Sequence, residues 1–179
     1  LSKYKNQLVN RATVPDSHPW YQLMQPQSAE LFAASMKIPA ILTGKNLKII
    51  RSLYKLGLYF GIIFQIMDDF LDYFGNRVTG KKNGKDFYEG NITLPIILLL
   101  KKSNNTEVNF IKKVFNKRKR LKSDYTEIMN LMKKYKINHD VKIFCDKYNK
   151  KSLKILKLFK GYQKDLFINL LISSINRTY

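Results

Sequence analysis

Cysteine is almost missing from this chain. Cys145 stands alone, so no internal disulfide can form, and its place in the apolar phase of a helical pattern reads as a buried structural thiol rather than a nucleophile. A reducing setting, cytoplasm or organelle matrix, is the matching expectation. Histidine is as scarce: His18 and His139 are isolated, which excludes a histidine metal site and a catalytic triad. Five prolines and eight glycines in 179 residues argue against a turn-rich β fold and for long helices. Residues 1–20 have no apolar core segment, so no signal peptide is expected. No run of about twenty apolar residues is present either. The stretches around 56–67 and 92–100 are too short or end in charge, and the expectation is a soluble protein with at most peripheral membrane contact. Nucleotide-binding signatures are missing as well, with no G-x-G-x-x-G turn after a strand and no P-loop.

Acidic residues are also few. Thirteen oppose 33 basic ones, for a formal net charge of +20. Such a balance suits a polyanionic partner. It also suits drift in a coding sequence poor in G and C, since lysine outnumbers arginine, asparagine, isoleucine and tyrosine are abundant, and the lysines are scattered. The cluster "NKRKR" at 116–120 falls between two helical patterns and reads as a solvated loop, so no nucleic-acid partner is expected.

What is present reads as all-α. Residues 1–20 form a poorly ordered lead-in, and 21–179 a single helical domain. A helical pattern covers Ser28 to about Thr43, with Pro39 expected to kink or divide it. A long helix follows from about Leu47 to Phe74, apolar nearly all round and therefore central. Residues 75–90 read as a loop rich in glycine and lysine. Another helix begins near Thr93, Leu94 and Pro95, where proline suits a first turn. A loop is expected over Lys101 to Asn105, then basic amphipathic helices around 106–118, 123–135 and 139–175, the last a candidate for interruption at Gly161.

The long helix carries an anomaly. Gly57, Gly61, Gln65, Asp68 and Asp72 recur at gaps of three and four, which lines them up on one stripe, with Asp69 on its flank. Unpaired carboxylates in apolar surroundings are costly, so a cation must sit over them. Lysine could serve. The spacing suits Mg²⁺ better, because that ion takes a few carboxylates and keeps its other positions for water and phosphate oxygens. The segment "TGKKNGKD" then places Lys81, Lys82 and Lys85 between glycines, and the combination points to a diphosphate site.

The stretch "FQIMDDFLDYFGNRVTGKKNGKDFYEGNITLP" at 64–95 resembles the second aspartate-rich motif of the trans-polyprenyl diphosphate synthases. The resemblance extends back through "SAELFAASMKIPAIL" and forward to the C-terminus, roughly residues 21–179. It implies an isoprenoid synthase helical bundle, of which this chain is the C-terminal half. It implies that Asp68 and Asp72 ligate Mg²⁺, with Asp69 a ligand or its immediate support. Gln65 would lie beside the allylic pocket, Lys81 would contact the leaving diphosphate, and Asp86 would order the lysine loop. Lys85 and Ser28 join the substrate-binding set. The implied reaction joins isopentenyl diphosphate to an allylic diphosphate. Diphosphate departs with its bonding electrons, the isopentenyl double bond attacks the allylic cation, and a proton is lost.

The chain departs from the family pattern in three places. Gln27-Ser28 stands where the family has Lys-Thr, and Asn91 where it has a further lysine. No first aspartate-rich motif exists, since the other acidic residues are isolated. Little or no activity is therefore expected of the chain alone. The expected partners are the two diphosphate substrates and a homodimer mate or another polypeptide supplying the first motif. A non-catalytic, regulatory subunit of a prenyl synthase is the alternative.

Overall fold

The computed structural model describes residues 27–75 and 83–176, and all the regular structure among them is helical. The elements are α1 (Gln27–Leu42), α2 (Leu47–Phe74), α3 (Lys85–Glu89), α4 (Leu94–Lys102), α5 (Asn105–Asn116), α6 (Lys122–Lys134), α7 (Ile137–Leu156) and α8 (Tyr162–Ile175). The expected all-α class is correct. The lead-in assigned to residues 1–20 lies outside the described residues.

Helix α2 is the axis of the bundle, with α1, α4, α7 and α8 all packed on it. Asn46 caps its start by accepting from the Ile49 amide at 3.0 Å, and its buried face carries Leu56, Ile62, Ile63, Ile66 and Met67. At 28 residues it is long and apolar enough to cross a membrane by length and composition, which corrects the expectation that no such segment exists. Four helices packed on it give that apolar surface another use.

The two glycines of the stripe serve the α1–α2 contact. A Cβ on Gly57 would lie 2.4 Å from the Phe32 carbonyl oxygen, and one on Gly61 would lie 2.5 Å from Ala29 Cα. Helix α1 answers with Ala29 and Ala33, both buried, so the backbones approach without side chains between them. Pro39 does not divide α1, which is unbroken from Gln27 to Leu42. In the last turn the ring removes only the bond to the Ser35 carbonyl.

Two loop expectations change: the segment 75–90 contains α3, and α4 runs on to Lys102. The expected interruption at Gly161 is present, with Gly161 at φ 80° opening α8 after α7 ends. The "NKRKR" loop is not wholly solvated: Arg120 is buried and Lys117 pairs with Asp124 at 2.7 Å.

Glu107 ties α5 to the end of α6. Its carboxylate caps the Asn104 amide at 2.9 Å, pairs with Lys134 Nζ at 2.7 Å and accepts from the Tyr135 hydroxyl at 2.6 Å. Those donors, Lys134 first, pull its pKa from 4.5 down to about 2. A depressed carboxylate pKa stabilises fully above the unfolded value and loses that contribution as pH falls through the folded one. The difference in thermal midpoint between the native chain and Glu107→Gln is therefore expected to be largest above pH 4.5 and to close by about pH 2. A difference independent of pH would mean that the carboxylate charge is not what joins the helices.

Candidate active site

The α1–α2 packing leaves the upper half of the stripe free. Ala29 in the first turn of α1 sits against Gly61, so Gln65, Asp68 and Asp72 lie beyond the glycine contact, towards the C-terminus of α2. Below them an aromatic group closes the wall. The Phe32 ring meets Phe60 at 5.1 Å and Phe64 at 5.7 Å, and Phe64 is one turn below Asp68. Ser28 is half-buried in the first turn of α1.

The three aspartates have three environments. Asp68 is exposed and makes no hydrogen bond or ion pair among the described residues. Asp69 is buried: one oxygen accepts from Gln65 Nε2 at 2.8 Å and the other faces the Leu94 amide at 3.4 Å. Burial pushes its pKa up to about 7, against the lowering effect of those donors. Asp72 is half-buried, and its two oxygens accept from the Lys85 amide at 2.9 Å and the Asp86 amide at 3.0 Å. Burial raises its pKa too, with the two amides opposing.

Asp72 thus caps α3, where Gly84 at φ 86° offers no side chain to do so. The Gly84 amide also donates to the Asp72 carbonyl at 2.7 Å. Asn91 completes the hairpin, giving its side-chain amide to Asp86 at 3.0 Å and Glu89 at 3.1 Å. Phe87 anchors α3 from beneath, fully buried against Phe115 and Tyr125. The Lys85 side chain is exposed, 3.8 Å from Glu89, an ion pair of little energetic weight. Lys81 and Lys82 lie outside the described residues.

Of the predicted set, the fold brings together Gln65, Asp68, Asp69, Asp72 and the backbone of Lys85. Gln65 is committed to Asp69, and Asp69 to the start of α4. Among the described residues no three His, Cys, Asp or Glu side chains converge on one point. The donor set that faces outward is Asp68 with Asp72, whose oxygens each retain a free lone pair. Two hard carboxylates are what Mg²⁺ takes when water and phosphate oxygens complete its shell, so these residues fit the ion as part of a site. The attachments of Asp69 to Leu94 and of Asp72 to α3 have no signature in sequence spacing, because they join residues 25 and up to 14 apart through tertiary contact. A cavity of about 340 Å³ lined by Met36, Ile49, Leu53 and Phe167 lies near the other end of α2. By helical rise it is roughly 20 Å from Asp68, too far to share its chemistry.

Comparison with known proteins matches the chain to one family. The sequence profile described as polyprenyl synthetase matches residues 6–132. The heptaprenyl diphosphate synthase component 2 of Geobacillus stearothermophilus is 41% identical over 75 residues, which cover 41% of this chain and 23% of that protein. The crystal structure of heptaprenyl diphosphate synthase from Staphylococcus aureus superposes with a TM-score of 0.83 at 26% identity, covering 99% of this chain and 55% of that one. A polyprenyl synthase from Caulobacter crescentus, solved with calcium and isoprenyl diphosphate, gives 0.80 at 25% identity, covering 99% and 56%. The chain spans about half the length of these solved structures.

Proposed function

The chain belongs to the polyprenyl synthetase family, and from that premise we propose that it supplies the second aspartate-rich half of a trans-prenyltransferase site. The substrates in this reading are an allylic diphosphate and isopentenyl diphosphate, and the setting is the cytoplasm or an organelle matrix. The observation that carries it is the Asp68–Asp72 pair on the open face of α2, with α3 docked directly on Asp72. Asp68 and Asp72 hold the metal side of the diphosphate. Asp69 and Gln65 fix α4 against α2 and keep the pair in register. Bound Mg²⁺ would supply the positive charge that lets diphosphate leave with its bonding electrons. The Phe32, Phe60 and Phe64 wall excludes water from the cation that remains.

The reading needs a first aspartate-rich motif, which residues 1–179 lack and a partner segment or polypeptide would supply. The outward face of α1 supports such a partner, because Leu31 is 70% and Leu42 80% exposed, with Ile38 and Ile41 beside them. A helix apolar on both faces belongs between two layers. The test is turnover of labelled isopentenyl diphosphate with farnesyl diphosphate and Mg²⁺, using the chain alone and with a synthase fragment that carries the first motif. Product is expected only with the fragment, and is expected to vanish with Asp68→Ala or Leu42→Asp. Efficient elongation by the chain alone would refute the need for a partner. The alternative, a regulatory subunit, is favoured by Asn91, whose amide is spent on Asp86 and Glu89. That reading predicts stimulation of a complete synthase that survives Asp68→Ala.

A further inference from the structure

We infer that Arg120 is a positioning residue for the Asp68–Asp72 site, acting through α3 as a strut. The inference rests on the reading of that site as a diphosphate site. Within "NKRKR", Arg118 and Lys119 are exposed, whereas Arg120 keeps only 5% of its surface. Its guanidinium donates from Nη1 to the Tyr88 carbonyl at 3.1 Å and from Nη2 to the Phe115 carbonyl at 2.7 Å. Tyr88 lies near the C-terminal end of α3. Asp72 holds the other end of the same helix through the Lys85 and Asp86 amides.

A helix of five residues does not hold its own shape, because the entropy lost in ordering its first turn is not repaid by so few internal hydrogen bonds. This one is held from outside, by a carboxylate at its N-terminus and a guanidinium at its C-terminus. Those are the signs that its dipole favours at each end. The fit at the C-terminal end is close. Gly90 caps α3 at φ 79°, and a Cβ there would come within 2.2 Å of Arg120 Nη2, so the guanidinium lies against bare backbone. The clamp carries a cost, since Arg120 Nε is buried with no partner among the described residues. An apolar substitute would save that cost but strand the Tyr88 and Phe115 carbonyls, which take the two guanidinium bonds. Serving as a strut explains the charge: releasing Tyr88 lets α3 turn, and the Lys85 and Asp86 amides then leave the Asp72 carboxylate.

The test compares the native chain with Arg120→Gln, Arg120→Lys and, as a core control remote from α3, Cys145→Ser. Hydrogen exchange would be read at Lys85 and Asp86, and affinity for inorganic pyrophosphate with Mg²⁺ by calorimetry. Arg120→Gln is expected to speed exchange at those two amides by about tenfold or more while leaving α4 unchanged. Pyrophosphate affinity should fall by about tenfold, a loss of the size seen when support of a ligand is removed. Arg120→Lys, which keeps the charge without the fork, is expected to fall between, and it carries the test if Arg120→Gln does not fold. Cys145→Ser should change neither readout. Unchanged exchange at Lys85 and Asp86, or an equal affinity loss in Cys145→Ser, overturns the inference. Failure of the native chain to bind pyrophosphate would instead sink the diphosphate reading, and the exchange data would still decide the clamp.

Discussion

Asp68→Asn is expected to abolish pyrophosphate binding in the presence of Mg²⁺ while leaving the chain as stable as before, or slightly more so. The two effects have one cause. Asp68 is exposed and has no partner among the described residues, so nothing in the fold is lost with its charge. It stands one turn from Asp72 and next to Asp69, and removing it relieves like-charge repulsion of a few tenths of a kcal/mol. For a bound cation the arithmetic reverses. Asp68 is one of only two carboxylates of the motif that face outward, and an amide oxygen replaces it poorly. Losing a direct ligand should cost more than the roughly 10–100-fold seen for the groups behind ligands. Titration calorimetry with Mg²⁺ and pyrophosphate, beside a thermal melt, reads both. A variant that melts lower with affinity intact would make Asp68 a structural residue and remove the basis of the proposed site.

Gly57→Ala should produce the largest loss of stability. Intrinsic helix propensity favours alanine by about 1 kcal/mol, so an exposed position would gain from the change. Here the new methyl meets backbone: Phe32 O at 2.4 Å, and Ala33 Cα at 2.7 Å. Neither atom can rotate away, so α1 must lift from α2, and overpacking of this kind costs about 1–3 kcal/mol or more. Lifting α1 also opens the contacts of Ala29, Ala33 and Phe32 with α2. A net loss of roughly 2 kcal/mol or more is expected in urea unfolding after the propensity gain is offset. An unchanged midpoint would mean that the two helices are not in backbone contact.

The stripe of small and acidic residues on α2 is legible in the sequence, and so is its periodicity. Its division of labour is not. Gly57 and Gly61 look like members of the same series as Asp68 and Asp72, and spacing alone assigns them one role. Packing splits them, because α1 crosses at the glycines and its first turn sits beside Gly61, leaving the carboxylates beyond. Likewise the three aspartates read as one ligand set, yet Asp69 points into the core towards Leu94 and Asp72 turns towards α3. Successive helical residues are about 100° apart, so neighbours in sequence face different surroundings, and only the neighbouring elements say which.

Arg120 shows the same limit from the other side. In sequence it is the last of five residues in a basic run, and composition predicts solvent. Its burial depends on Gly90 and on two carbonyls, at Tyr88 and Phe115, of which Tyr88 lies 32 positions away.

By itself the sequence determined the all-helical class, the family motif and the place of the carboxylates on one helix, because these follow from local periodicity and residue type. Tertiary structure alone decided which carboxylates stay open to solvent, which of them also hold neighbouring helices, and which basic residue is buried. Those outcomes depend on desolvation and on hydrogen bonds between residues distant in the chain, and no local pattern records them.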